Sequence, residues 1–253
     1  MLTPLSILNE AKEKLSALVK EHHLGSEAVQ VTVRALSPEQ AIGKPQRRDF
    51  PLLEGKEVIV EAEVKGSRGQ AFTDKPHNFA GSVADALELG WEIPGNRAIF
   101  LSTLNAITAC LGIATGVRHC RDDEPEKCGE HITHDILKRF GKTRVGLIGF
   151  QPAILENLTK RLGSQNVRST DLNSANIGSY KYGIEIWDGK ADTQQLIDWC
   201  QVVLVTSSTM ANNTFDNIYQ TATTLGKRFI IFGVTGAGVC ALTSLERICP
   251  FSH

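Results

Sequence analysis

With 253 residues, 42% of them hydrophobic and 22% charged, the chain has an ordinary globular composition and room for one large or two modest domains. Its formal net charge of −1 argues against a nucleic-acid partner, because such proteins concentrate basic residues on one face. Six scattered cysteines exclude a small disulfide scaffold in a chain this long, so we expect reduced thiols and a cytoplasmic protein.

The first 118 residues predict an α+β unit in which strands come early and helices late. Residues 5–23 carry Leu8, Ala11 and Leu15 at helical spacing, which indicates an amphipathic helix. The runs VQVTVRAL and EVIVEAEV alternate apolar and polar residues, as half-buried antiparallel strands do. A glycine turn in KGSRGQAF then predicts a third strand, and SVADALEL predicts a second helix.

The segment from Ala98 to Val117 carries no charge and could imitate a membrane span. Its serine, threonine, asparagine and glycine residues dilute the apolar character, so we expect a buried helix and no membrane partner. In a helix, Ser102, Asn105 and Ala109 share a face of small or polar groups. That face would let another stretch of backbone, or a ligand, approach closely.

From residue 144 the pattern becomes strand, loop and helix in repetition. The runs RVGLIGF, NVRSTDL, QVVLVTS and RFIIFGV are rich in valine, isoleucine and leucine, as strands of a parallel sheet covered on both faces are. Helical runs such as PAILENLTKRLG separate them. We therefore predict a Rossmann-like, doubly wound parallel-sheet domain, including a linking helix, over residues 119–253. Its ligands would bind beyond the carboxyl ends of the strands.

The stretch HCRDDEPEKCGEHITHD, residues 119–135, has two interpretations. In the first, His119, Cys120 and Cys128 are ligands of a transition metal, with His131 or His134 beside them. However, the cysteines stand eight residues apart, whereas structural zinc sites usually open with a closely spaced pair.

In the second interpretation the stretch begins a helix, and we favour this one. Asp123 and Glu126 form a capping pair, and Pro125 fits the first turn. Ile132 would face the core, with Cys128 on the same apolar stripe, while the two later histidines would be solvated. Cys120 precedes the helix and remains open as a metal ligand.

The loop after the first Rossmann strand, GFQPAILENL, lacks the glycine fingerprint of dinucleotide-binding folds. Pro152 also removes an amide donor at the helix start, so we do not expect NAD. Asp171 ends the second strand, 22 residues after Gly149, where such folds often bind a ribose hydroxyl. A solvated acidic cap explains Asp171 equally well.

Two further loops, TSSTMANNTFD and GVTGAGV, follow the remaining strands and are dense in hydroxyl and amide groups. Such groups beside a helix N-terminus suit an anionic or multiply hydrogen-bonding ligand. An N-cap pair of Asn213 and Asp216 would explain only part of the first loop. Polar loops at adjacent strand ends predict a binding crevice.

Six segments together resemble one family of bacterial and archaeal proteins, labelled "putative heavy-metal chelation": RGQAFTD, LNAITA, HCRDDEPEKCGE, VGLIGFQP, TSSTMANNT and GVTGAGV. The resemblance runs through nearly the whole chain. It implies an enolase N-terminal-like domain, a Rossmann-like domain partly similar to methyltransferases, and a polar site where the two meet. It also implies condensation or hydrolysis in the synthesis of pterin-, flavin- or siderophore-like chelators.

Position by position, the resemblance implies a crevice formed by both domains. Asp74 is the candidate general base and His77 the second choice, although a turn before Pro76 explains Asp74 equally well. An aromatic face for a planar ring would come from Phe150. The implied ligand-binding residues are Thr73, Asn105, Gly149, Phe150, Asp171, Ser208, Thr209, Asn212, Thr214, Thr235 and Gly236.

We favour a protein that binds a small polar or heteroaromatic metabolite and, as an enzyme, transforms it. One alternative is a non-catalytic heavy-metal-binding protein that uses Cys120 and Cys128; the other is an S-adenosylmethionine-dependent methyltransferase-like protein. The first alternative lacks a closely spaced cysteine pair, and the second lacks a glycine-rich first loop. The sequence leaves open whether the protein is catalytic, which metal or substrate it binds, and whether it forms a homo-oligomer. We expect Asn105→Ala and Asn212→Ala to spare folding and abolish ligand binding.

Overall fold

The chain builds two sheets, the first antiparallel and the second largely parallel. The computed structural model describes residues 6–25, 30–53, 57–93 and 95–253, with residues 30 and 31 described by their backbone alone. The first part contains α1 (Ile7–Glu21), β1 (Gln30–Ala35), α2 (Pro38–Ile42), β2 (Val58–Val64), β3 (Ser67–Thr73), β4 (Phe79–Ser82), α3 (Val83–Glu88) and α4 (Asn96–Cys110).

The second part begins with the long helix α5 and alternates strands with helices after it. Its elements are α5 (Glu124–Phe140), β5 (Val145–Ile148), α6 (Pro152–Leu162), β6 (Val167–Asp171), β7 (Tyr180–Lys181), β8 (Ile184–Asp188), α7 (Thr193–Trp199), β9 (Val202–Thr206), α8 (Phe215–Thr224), β10 (Arg228–Phe232), α9 (Ala237–Thr243) and β11 (Arg247–Ile248). Short 3-10 turns lie at Ser164–Asn166 and Ser207–Met210.

The antiparallel sheet has the strand order β3-β2-β1-β4, and α4 packs against β2 and β3. This packing is close: a Cβ on Gly69 would stand 2.2 Å from the backbone nitrogen of Ala106. The backbone approach predicted for the small face of α4 is therefore confirmed. In the same hairpin Val58 pairs with Thr73. Glu57 directly precedes β2 and Asp74 directly follows β3, so the two residues lie at neighbouring strand ends.

The parallel sheet has the order β11-β10-β9-β5-β6-β8-β7, and β7 alone among these strands runs antiparallel to its neighbour. The chain leaves β5 toward β6 on one side and returns to β9 on the other. The topological switch point, where ligands of such sheets bind, thus lies between β5 and β9. The predicted fold class, a small α+β unit followed by a doubly wound parallel-sheet unit, is confirmed.

Helix α5 begins where the favoured interpretation placed it, with Pro125 in its first turn and Cys128 and Ile132 buried. The predicted capping pair is wrong, because Asp123 makes no side-chain cap hydrogen bond. Glu126 instead forms an ion pair with Arg47 at 2.7 Å. His131 and His134 are exposed, as expected.

A continuous hydrophobic cluster joins the two parts of the chain. It combines Leu15 and Leu104 from the first part with Leu196 and Val203 from the second, all buried. Within the described ranges, none of the helices combines the length and the apolar character needed to cross a bilayer.

Candidate functional site

A cavity of about 590 Å³ lies between the carboxyl ends of the parallel strands and the open end of the β2–β3 hairpin. Phe150 and Gln151 from the loop after β5 line it, and so does the Ser207–Met210 turn after β9 through Ser207 and Thr209. These two loops flank the switch point of the sheet, where the fold predicts a ligand.

Most of the residues that the sequence assigned to a site line this cavity together. All three metal candidates are among them. The assigned residues that line the cavity are Thr73, Asp74, His119, Cys120, Cys128, Gly149, Phe150, Asp171, Ser208, Thr209, Asn212 and Thr214. Four assigned residues lie elsewhere: His77, Asn105, Thr235 and Gly236 do not line the cavity.

Asn105 is fully buried in α4, and its hydrogen bonds are directed at protein groups. Its amide nitrogen donates to the carbonyl of Gln70 at 2.8 Å and to that of Val234 at 3.0 Å. Its amide oxygen accepts from the backbone nitrogen of Gly238 at 2.8 Å. This side chain therefore ties the two parts of the chain together and has no free group for a ligand.

The other three also make contacts inside the protein. Thr235 is fully buried, and its hydroxyl accepts from the Phe72 amide at 3.0 Å. His77 shares a hydrogen bond of 2.9 Å with the Oδ1 atom of Asn96. A Cβ on Gly236 would stand 2.7 Å from the sulfur of Met210, so this glycine permits close packing.

Asp171 shapes the loop that carries Phe150. Its Oδ2 accepts from the Phe150 amide at 2.7 Å, and its Oδ1 accepts from the Asn173 amide at 2.6 Å. Burial raises the pKa of Asp171, while these amides act to lower it. Gly149 has φ of +91°, and a Cβ there would stand 2.3 Å from the methyl group of Thr206. Glycine is therefore required at the turn.

Glu57, which the sequence reasoning did not single out, faces the same cavity. Burial, followed by repulsion from Asp171 and Asp74, raises its pKa from 4.5 to about 7. Three carboxyl groups thus share one partly enclosed space. The signal in the sequence is the β2–β3 register, since pairing Val58 with Thr73 places Glu57 beside Asp74.

The loop after β9 presents hydroxyl groups, most of them already bonded to each other. The hydroxyls of Thr206 and Ser208 lie 3.0 Å apart, and Thr214 donates to Asn212 at 2.7 Å. The predicted N-cap role of Asn213 is wrong, because Thr214 occupies the N-cap of α8 without a side-chain cap bond. Ser207, another residue the sequence did not single out, is buried, and its hydroxyl has no hydrogen-bond partner.

Aromatic side chains line the cavity together with these polar groups: Phe50, Phe72, Phe150 and Phe232. Phe72 also meets the ring of His119 edge to face, with centroids 5.4 Å apart. A planar ligand would therefore find both aromatic rings and carboxyl groups in the same cavity.

Three cysteines line the cavity, Cys120, Cys128 and Cys249, and the Cys128 thiol lies close to the other two. The contact with Cys120, together with burial, raises the pKa of Cys128 to about 12. Contact with Cys128, together with burial, raises the pKa of the Cys249 thiol well above its ordinary value.

His119 completes this group, and burial lowers its pKa to about 4, so its imidazole is neutral. Its Nδ1 atom is buried without a hydrogen-bond partner. Across the described residues, however, no three His, Cys, Asp or Glu side chains come together in a way that could hold a metal ion. His119, Cys120 and Cys128 therefore do not fit a bound metal as they stand.

Comparison with known proteins supports the fold and the resemblance stated from the sequence. Residues 133–241 match the model of the DUF364 family, which is described as "Putative heavy-metal chelation". No curated protein matches the chain. The resemblance to this family is thereby confirmed over the second part of the chain.

One solved structure shares the fold, and a second shows a weaker similarity. A protein of unknown function from the DUF364 family of Pyrococcus horikoshii superposes with a TM-score of 0.52 at 15% identity, covering 91% of this chain and 80% of that chain. A protein of unknown function from the same family of Desulfitobacterium hafniense DCB-2 gives a TM-score of 0.49 at 11% identity, covering 90% of this chain and 83% of that one.

Proposed function

We propose that this protein binds a small planar, nitrogen-rich metabolite of the pterin or flavin kind in the cavity and transforms it by acid–base chemistry. One observation carries the proposal: Glu57, Asp74 and Asp171 share an approximately 590 Å³ cavity with aromatic side chains. A space of this size suits a drug-sized ligand of two or three fused rings.

The lining favours a ligand that donates hydrogen bonds. Carboxylates act only as acceptors when ionised, so Glu57 and Asp74 match the N–H edge of an aminated heterocycle. Asp171 has both oxygens engaged by backbone amides and serves to position the Phe150 ring. Among the described lining residues, Lys75 and His119 are the basic ones, and His119 is neutral. The net field of these described groups is therefore negative, which favours a cationic or N–H-rich ligand.

Glu57 is the group best placed to move a proton. A carboxyl group with a pKa near 7 exchanges its proton readily at neutral pH, and condensation and hydrolysis both require such exchange. The exposed carboxylate of Asp74, at the neighbouring strand end, would orient the ligand and keep the pKa of Glu57 raised. In this proposal Glu57 takes the general-base role that the sequence gave first to Asp74 and second to His77.

Native mass spectrometry of freshly purified protein, paired with elemental analysis, tests this function. We expect the wild type to carry a small organic mass and no stoichiometric metal, and Glu57→Gln to lose that mass. Glu185→Gln is the matched control, because Glu185 is exposed on β8 outside the cavity. About one equivalent of a transition metal, lost in Cys120→Ser and Cys128→Ser, would instead support the metal-handling alternative.

A further inference from the structure

A second groove, of about 320 Å³, lies on the face of the antiparallel sheet opposite α4. Four arginines line it: Arg34 from β1, Arg68 from β3, and Arg118 and Arg121 from the segment before α5. Gly69 faces α4, so the neighbouring Arg68 and Gln70 point to the other side of the strand. The groove is separate from the cavity described above, and His119 lies in the wall between them.

One buried carboxylate stands at the centre of these arginines. Glu61 is 6% exposed and accepts a hydrogen bond of 2.8 Å from Gln70. Arg34, Arg68 and Arg118 approach it only to 3.8, 3.9 and 4.0 Å. These distances exceed those of a hydrogen bond, so Glu61 draws the arginines together without using their N–H groups.

The arginines consequently hold more donors than their described surroundings satisfy. The Nε atom of Arg118 is buried without a hydrogen-bond partner. Arg68 uses its own Nε to bond Glu63 at 3.0 Å, and Arg121 donates to the backbone carbonyl of Glu39 at 3.2 Å. A guanidinium carries five N–H donors, and the described residues engage only a minority of those in this groove.

We propose that this arginine groove is a binding site for a small multiply charged oxyanion, such as the phosphate groups of a phosphorylated metabolite. A planar guanidinium group binds two phosphate oxygens at once. Several guanidinium groups around one groove supply both the positive charge and the hydrogen-bond geometry that a phosphate group needs. Glu61 and Glu39 also line the groove and would be neutralised by two arginines, whereas four converge here. The proposal does not depend on the ligand of the larger cavity.

Isothermal titration with inorganic pyrophosphate at low ionic strength tests the site. We expect saturable binding to the wild type and a loss of affinity of about tenfold in Arg34→Gln, because Arg34 is exposed and its removal spares the fold. Arg228→Gln, which removes an exposed arginine on β10 outside the groove, should bind like the wild type. Glu61→Gln keeps an acceptor for Gln70 and removes the competing charge, so it should bind more tightly.

Absence of saturable binding to the wild type, or an equal loss in Arg34→Gln and Arg228→Gln, would overturn the proposal. Unchanged or weaker binding in folded Glu61→Gln would also contradict it. A nucleoside diphosphate tested in parallel separates two sources of the same chemistry. Equal affinity indicates a free oxyanion, and tighter binding indicates the phosphate end of a larger metabolite.

Discussion

The Oδ1 atom of Asn105 accepts a hydrogen bond from the backbone nitrogen of Gly238 at 2.8 Å and thereby joins α4 to the start of α9. The amide nitrogen of the same side chain donates to Gln70 and Val234. One buried amide thus links the antiparallel sheet, its covering helix and the last loop of the parallel sheet. The cavity lies between the two sheets, so its shape depends on this link.

Asn105→Ala should therefore destabilise the protein, contrary to the expectation from the sequence alone. It leaves a buried amide and two carbonyls without their partner, and each such group costs roughly 1–3 kcal/mol. We expect a loss of about 3 kcal/mol in the free energy of unfolding, measured by urea denaturation. The exposed Asn212 lines the cavity, and Asn212→Ala should stay within about 0.5 kcal/mol of the wild type. Equal stabilities of the two variants would refute the structural role of Asn105.

Glu57 should make stability depend on pH across a defined window. Its pKa rises from 4.5 to about 7 on folding, so between these values the folded state binds more protons than the unfolded state. Stability therefore falls as pH rises through this window and levels off above about 7. Glu57→Gln removes this fall, so its stability relative to the wild type should increase by up to about 3 kcal/mol across the window. The measurement is urea denaturation at both ends of the window, with Glu185→Gln as control. Identical pH dependence in wild type and Glu57→Gln would contradict the assignment.

Arg47 should anchor the wall of the cavity. Its side chain is 17% exposed and contacts Glu126, Glu156 and Asp49. Phe50, three residues further along the chain, lines the cavity. Arg47→Ala leaves these carboxylates to repel one another, so we expect a loss of about 3 kcal/mol in the free energy of unfolding. Arg48→Ala removes the adjacent, exposed arginine and should cost little. Thermal and urea unfolding of both variants would show whether the effect belongs to position 47.

The thiols should react slowly in the folded protein. Contact with Cys120, together with burial, raises the pKa of Cys128 to about 12, and burial raises that of Cys240 to about 12 and that of Cys200 to about 11. Thiolate is the reactive form, so alkylation of these residues at neutral pH should be at least about 100-fold slower than in urea. The half-buried Cys110 should react first. Mass spectrometry after timed iodoacetamide treatment measures the alkylation of each cysteine. Early labelling of Cys128 would show that its thiol is accessible to solvent and would contradict the prediction.

The sequence predicted the fold better than it predicted the roles of single residues. Runs of valine, isoleucine and leucine revealed β5, β9 and β10, because strands buried on both faces need apolar residues. The β7–β8 hairpin was missed, since β7 has two residues and carries no periodicity, and β8 is a single short run, IEIWD. Polar loops at strand ends correctly indicated where the cavity lies.

Roles that depend on tertiary contacts could not be read from the chain. Asn105 resembled a ligand-binding residue because a polar side chain on a small helical face fits either role, and only its bonds to Gln70 and Gly238 decide. Glu57 was hidden in a strand pattern until the register with Thr73 placed it beside Asp74. Helix caps failed for the same reason, since Glu126 is engaged by Arg47 instead.

The most direct test of the central claim is a fluorescence titration of the protein with pterin and with lumazine, which replaces the 2-amino group of pterin with a carbonyl. The carboxyl groups of Glu57 and Asp74 accept hydrogen bonds from N–H groups, so pterin should bind at least about tenfold more tightly than lumazine. This preference should disappear in Glu57→Gln. Equal binding of both compounds by the wild type would contradict recognition of the 2-amino group by Glu57 and Asp74, and binding of neither would contradict the proposed planar ligand.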